Sequence, residues 1–426
     1  MLRSATPDDG DDQEANVRDR RLAAGALLTV LAVAGCTSDP APPPAPGPTS
    51  SAPARPTFDP PTRFGPTAIK LGPARASDVL LYAGMAYAAG ESSTTVTDVL
   101  TGRRLPALTP QHPPVQRPGG LGEPVGHIPL LVQRDGRPAV VIAYAVSTPA
   151  SGTTTAKQSV QLLLADAASG QQLAALSVAA TPAEGGGDFT AVAGEYVTVV
   201  GAQANTLVLT VGKQVTLGVD LTTGSVLWRN TTFTAAAVLG DTVVGLTAAD
   251  SSVRQQLVGL GVADGATRWR AANVRNAELA AAGTAYAVLV AEQDTGGRFY
   301  ARINADGKLN DREAGSYGSG LGCRYDQASV TVCSIGTTAV FALDATDGKL
   351  LWQLPATGRT APNVTAVWHG AVYGTTGTTT PVVLDARTGA DREAAPGLAP
   401  VAVSGYAGVG VDPAEQNTVT AYPAVG

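Results

Sequence analysis

The sequence is poor in the residues that most often carry chemistry. In 426 residues it has three cysteines, three histidines and two methionines. His112, His127 and His369 stand far apart and form no local cluster at the spacing a zinc site requires, so each is expected at the surface or in packing. No G-x-S-x-G elbow occurs. Gly185-Gly186-Gly187 lacks the strand-to-helix context of a phosphate loop. The run Asn304-Ala305-Asp306-Gly307 has a trace of a calcium loop, but Gly315 stands where the twelfth-position glutamate belongs. Charged residues are 15% and aromatics 5% of the chain, and the formal charge is −6. With no basic face to offer, the chain is not expected to bind nucleic acid. No helix-length periodic segment is visible.

The chain has 49 glycines, and seven of them mark a repeat. The phrase is clearest in VFALDATDGKLLW, Val340 to Trp352. An apolar strand runs into Asp344, a tight turn ends on Gly348, and a second strand starts at once. The aspartate can accept hydrogen bonds from turn amides, and the glycine supplies the positive φ that closes the hairpin. The same phrase recurs with its glycine at Gly102, Gly170, Gly224, Gly265, Gly307 and Gly389. Successive intervals from Gly102 are 68, 54, 41, 42, 41 and 41 residues. A constant period near 41 is the mark of a four-stranded propeller blade. The two long intervals imply insertions, for which the runs 106–126 and 181–188 supply much of the length.

Three further strands, Pro400–Ser404, Tyr406–Val411 and Thr418–Tyr422, leave the last unit one strand short. Thr67–Leu71 is the candidate to complete it, which would remove two exposed sheet edges. Residues 66–426 divided by eight give about 45 per blade; seven would need about 52, well above the period. The expected fold is therefore all-β. It is an eight-bladed β-propeller of four-stranded antiparallel blades closed by the N-terminal strand, with seven blades as the alternative.

Ahead of this domain lie two segments of other character. Arg18, Arg20 and Arg21 precede an apolar run, Leu22 to Ala34, with the proportions of a signal peptide. It ends in Val33-Ala34-Gly35-Cys36, which resembles the bacterial lipobox, so residues 1–36 read as a signal peptide whose Cys36 is lipidated. The alternatives are a cysteine inside a membrane helix and a later start codon, and Arg20-Arg21 leaves twin-arginine export open. Residues 37–65, rich in Pro, Ala, Ser and Thr, read as an extended tether, and 66–426 as the propeller.

The phrase [apolar]-x-A-L-D-x-x-T-G-x-x-x-W resembles the repeat of the pyrroloquinoline-quinone-like propellers. That family includes quinoprotein alcohol dehydrogenases and the propeller lipoprotein of the outer-membrane β-barrel assembly machinery. The resemblance implies that a fourth-strand tryptophan packs over the turn glycine of a neighbouring blade. Trp228, Trp269 and Trp352 match that tryptophan, and Gly224, Gly265, Gly348 and Gly389 the glycine. Leu173, Leu105, Leu309 and Arg392 stand near the position in other repeats. Trp368, in a first strand, does not match and is expected in the core or channel. The dehydrogenases of that family use adjacent cysteines, and no such pair occurs here. Apart from Cys36 there remain Cys323 and Cys333. A hairpin turning near Ala328 brings them opposite each other, which reads as a disulfide in an exported protein rather than a metal or redox pair.

The expected function is a lipid-anchored, extracytoplasmic, non-enzymatic propeller that binds a protein or cell-envelope polymer on its loop faces. It is expected to be a monomer, attached to the membrane by its lipid, without cofactor, metal or catalytic residues. The alternative is a quinone-dependent or other propeller enzyme whose site is assembled from several blades.

Overall fold

The computed structural model describes residues 56–115, 127–153, 157–178, 197–212, 215–251, 254–292, 297–315, 318–377, 379–411 and 418–426. The signal sequence, Cys36, most of the tether, Gly185-Gly186-Gly187 and large parts of both expected insertions lie outside them. The described residues hold thirty strands, one 3-10 turn at Ala76–Asp78 and no α-helix.

The strands form antiparallel sheets in which chain neighbours pair with one another. The 321–354 sheet is the simplest. Its strands are Leu321–Tyr325, Val330–Ile335, Ala339–Asp344 and Leu350–Leu354, in that order across the sheet. Four-stranded sheets of the same order span 130–178, 197–230 and 363–393. The 79–98 sheet has three strands, and isolated bridges at Arg104 and Leu108 extend its outer edge. The interior of each sheet is apolar on both faces. Thr206–Val211 is buried at every position, and Arg137–Thr148 buries six consecutive residues, Ala139 to Tyr144. Only a sheet covered on both sides rewards such a sequence. Each fully buried Val, Leu or Ile contributes about 1.5–3 kcal/mol relative to exposure.

What covers each sheet is the next one. Seven apolar clusters lie between sheets, one of them joining the last sheet to the first, and an eighth lies within residues 233–315. One joins Leu162 and Leu164 to Leu207 and Leu217; another joins Val330 and Val332 to Val364 and Val372. First strands lie beside first strands. Leu130–Arg134 neighbours Val197–Gln203, which neighbours Phe233–Leu239, and the series continues to Val79–Tyr82. This is the arrangement of a β-propeller.

Three features depart from the expected layout. First, residues 233–315 form one seven-stranded sheet, because Thr267–Ala281 is a single strand of 15 residues. Its first half pairs with Arg254–Gly261 and its second with Tyr286–Glu292. The switch falls at Asn276, where φ is 45° and the register slips. Second, the strand added beside Thr418–Pro423 is Ile69–Pro73, two residues later than Thr67–Leu71. Third, residues 56–65, assigned to the tether by composition, pack on the domain. Thr62 and Arg63 donate their amides to the Gly426 carbonyl, and Phe64 is 7% exposed against Tyr373. Phe58, Pro61 and Phe64 offer apolar surface that a Pro-rich composition conceals. Part of the longest interval is also explained, since Arg137–Thr148 and Lys157–Asp166 form an extended hairpin.

Candidate functional site

The repeat turns behave as their chemistry requires. Oδ1 of Asp166 accepts the amides of Ala168 and Ser169, and Oδ1 of Asp220 those of Thr222 and Thr223. The Ser169 hydroxyl and amide hold the Asp166 carboxyl below the usual carboxylate range, the Thr223 and Thr222 amides do so for Asp220, and the Thr346 amide does so for Asp344. Each turn ends on a glycine with positive φ, 67° at Gly348 and 65° at Gly265.

At the tryptophans, the indole of Trp228 covers Gly265, that of Trp269 covers Gly307, and that of Trp352 covers Gly389. Each indole N–H donates to a carbonyl of the same neighbouring turn, at Val262, Ala305 and Ala386, all at 2.7 Å. Gly224 and Gly348 are covered differently. Leu176 covers Gly224, not Leu173, which is exposed. Gly348 lies under Arg302, whose guanidinium donates to the Asp347 carbonyl and stands 5.9 Å from the Tyr286 ring centre.

Three tyrosines, invisible to a motif because they bind main chain, fasten sheets that lack the tryptophan. Tyr87 donates to the carbonyls of Asp166 and Ala167, Tyr286 to that of Asp344, and Tyr373 to that of Pro61. Burial pushes all three phenols up, Tyr286 to about 12. Cys323 and Cys333 are bonded and sit opposite each other in register. Trp368 stacks on His369 with centroids 3.9 Å apart, and His369 Nδ1 lies 2.5 Å from Asp59.

Two connected cavities make the most site-like surface. One, about 380 Å³, is lined by Pro73–Arg75, Asp78, Ala89–Ser93 and Thr95. The other, about 790 Å³, is lined by Thr109–Val115, Ser147, Glu91 and Ser92. Glu91 and Ser92 belong to both, so the two form one groove. Its walls come from the loop between a second and a third strand and from the segments that link one sheet to the next.

Behind the groove lies a buried polar network. Asp78 is 2% exposed and accepts the Ser77 hydroxyl at 2.8 Å. Burial pushes its carboxyl up, opposed by Ser77, by the main-chain amide of His127 and by Arg75. His127, also buried, places Nδ1 3.0 Å from the Ala143 carbonyl and packs its ring on Tyr144. Burial lowers its pKa. The Tyr144 hydroxyl meets Thr94 Oγ1 at 2.9 Å, and its pKa is pushed up to about 12. The groove thus offers hydroxyls, two carboxylates and one guanidinium. That is a set for hydrogen bonding to a polar surface. Among the described residues no three His, Cys, Asp or Glu side chains are grouped to hold a metal ion. Nor does any described helix have the length and apolarity to cross a membrane.

No protein-family model matches the sequence, and no curated protein matches it. Solved structures do resemble it. The computationally designed Ika8 protein aligns with a TM-score of 0.52 at 15% identity, over 85% of this chain and 99% of that one. BamB from Moraxella catarrhalis aligns with a TM-score of 0.47 at 15% identity, over 84% and 98%. Quinohemoprotein alcohol dehydrogenase from Comamonas testosteroni aligns at 0.45 and 13% identity, over 84% and 75%. The likeness is one of fold.

Proposed function

We propose that this chain is a lipid-anchored, extracytoplasmic scaffold propeller that captures a protein or cell-envelope partner in the groove around Glu91 and Ser92, without chemistry of its own. The carrying observation is the groove itself. It runs across the connections of two sheets and is lined by hydrogen-bonding groups. Rigid sheets presenting such a loop surface suit docking.

The same reading takes the domain as an eight-bladed ring. Its last blade is Ala402–Val403, Ala407–Val411 and Thr418–Pro423, completed by Ile69–Pro73. Seven clusters between sheets and one between the two halves of the 233–315 sheet support this count, and Thr267–Ala281 then serves two blades. Cys36 carries the lipid, and the segment before residue 56 is the tether.

Capture from detergent-solubilised membranes, with Ser92→Arg and Glu91→Lys as groove variants, tests the proposal. Both variants are expected to keep the melting temperature of the parent and lose the captured partner. Unchanged capture would remove the groove from the reading. Cys36→Ala is expected to abolish fatty-acid labelling. A quinone enzyme would hold its cofactor against a base and a metal, so turnover after addition of quinone and calcium would replace the scaffold reading with an enzymatic one.

A further inference from the structure

The first strands of the sheets surround the propeller axis, and their described residues are almost free of charge. Counting Glu278–Ala281 as the first strand of its half-sheet, only Arg134, Glu278 and Arg324 are charged. Arg134 stands 4.0 Å from Asp135. Glu278 accepts Arg298 at 2.9 Å and the amides of Gly320 and Leu321 at 2.7 and 2.6 Å. The Arg324 side chain has no hydrogen bond or ion pair among the described residues.

Arg324 lies in Leu321–Tyr325, between the first strands Thr267–Ala281 and Asn363–Trp368. Side chains alternate along a strand. Cys323 and its partner Cys333 face the cluster of Tyr286 and Val288. Arg324 therefore takes the opposite face, shared with its pair-mate Val332 and the Val364–Val367 cluster. The side chain is exposed. Its pKa is nonetheless pressed below the usual guanidinium value by desolvation, with no carboxylate to offset it. Solvent reaches the group. The Cys323–Cys333 bond joins the adjacent residue to the next strand, so the guanidinium is presented from a braced hairpin.

We propose that Arg324 is an oxyanion-binding site on the propeller axis, taking a carboxylate or phosphate group that enters the channel. The planar fork of donors matches either group through two parallel hydrogen bonds. The chain's net negative charge gives no general attraction for anions, so recognition rests on this one group. The site is separate from the groove and does not depend on the groove's role.

Titration calorimetry of the purified full chain at low ionic strength tests this. Inorganic phosphate, acetate and a hexaglutamate peptide are the probes, separating a free anion from a carboxylate carried on a polypeptide. The parent is expected to bind at least one probe saturably at one to one. Arg324→Gln is expected to weaken that binding tenfold or more, and Arg324→Lys to retain part of it as a point charge without the fork. Arg103→Gln, in an exposed turn, is expected to bind as the parent does. In anion-free buffer, Arg324→Gln is expected to melt no lower than the parent. The proposal is overturned if the parent binds no probe, if Arg324→Gln binds like the parent, or if Arg324→Gln melts lower without anion. The last result would mean that the guanidinium serves the fold.

Discussion

Two neighbouring seams of the propeller are built from the same turn and fastened differently. Between the 197–230 and 233–261 strands, Trp228 covers Gly265 and donates to Val262. Between the 130–178 and 197–230 strands, Leu176 covers Gly224 and donates nothing. The second seam compensates with bulk. Its cluster of 17 buried residues runs from Val132 to Leu221, against eight in the first. A fastening bond and a large apolar contact are thus alternative ways to hold blades in register. The bond is specific in geometry and the contact is not, so the Trp seam should be sensitive to single changes and the Leu seam forgiving.

The largest expected effect is at the indole. Trp228→Ala should cost about 3–5 kcal/mol in denaturant unfolding, because a large buried ring and its hydrogen bond go together. Leu176→Ala, at a half-buried position, should cost about 2 kcal/mol. Equal losses would break the comparison. Next come the glycines beneath. Both have positive φ, 65° at Gly265 and 75° at Gly224. A methyl on Gly265 would meet the Trp228 ring at 2.7 Å, whereas on Gly224 it would meet Leu176 Cβ at 3.1 Å. Gly265→Ala should cost about 2–4 kcal/mol, combining backbone strain and overpacking. Gly224→Ala should cost about 1 kcal/mol less, as the neighbouring leucine gives way.

A covalent fastener within one sheet sharpens the contrast. Replacing both Cys323 and Cys333 by Ala should cost about 2–3 kcal/mol in the loop-entropy account, since the bond spans 10 positions. The loss should be the same whether Trp228 is present or not, because the two act far apart. A coupling above about 0.5 kcal/mol in the double-mutant cycle would argue otherwise.

The smallest effects are in pH. Asp166 and Asp220 flank the Leu seam, and their folded pKa values lie below the ordinary one. Their contribution is present above about pH 4 and is lost as pH falls through the folded values. His127 has a lowered folded pKa as well. Stability should therefore begin to fall below about pH 6.5, where the unfolded chain takes up the proton first. Asp78, raised by burial, acts in the opposite sense, favouring the fold below about pH 4 and losing that favour as pH rises. His127→Asn should flatten the melting temperature between pH 7 and pH 5; a curve like the parent's would remove His127 from the account.

The repeat was legible because each turn needs the same two residues in the same places. The Asp carboxylate reaches amides two and three residues on, and only glycine accepts the φ that follows. The strand Leu350–Leu354 begins two residues after Gly348 for that reason. What covers each glycine was legible for tryptophan and for Leu105, which approaches Gly170. Leu176 was mistaken for Leu173 because a bulge between Leu164 and Ala165 changes the register along that strand. Arg302 reaches Gly348 from a third strand, where no fourth-strand motif looks. The groove was hidden because Asp78, Glu91 and Gln111 become neighbours only through the fold. Arg324 reads in sequence as one arginine among many, and its meaning depends on which strand is innermost.

The 15-residue strand Thr267–Ala281 has a mechanical consequence. Elsewhere a loop separates one sheet from the next, and under tension a loop yields before the sheets do. Here the hydrogen-bond ladder is continuous across two units, so a pulling force reaches both through one stiff element. Stretched from its ends in single-molecule force spectroscopy, the 233–315 region should release in one step about twice the contour length of a single-sheet step. The molecule would thus yield unevenly along its chain, with its longest indivisible piece near the middle.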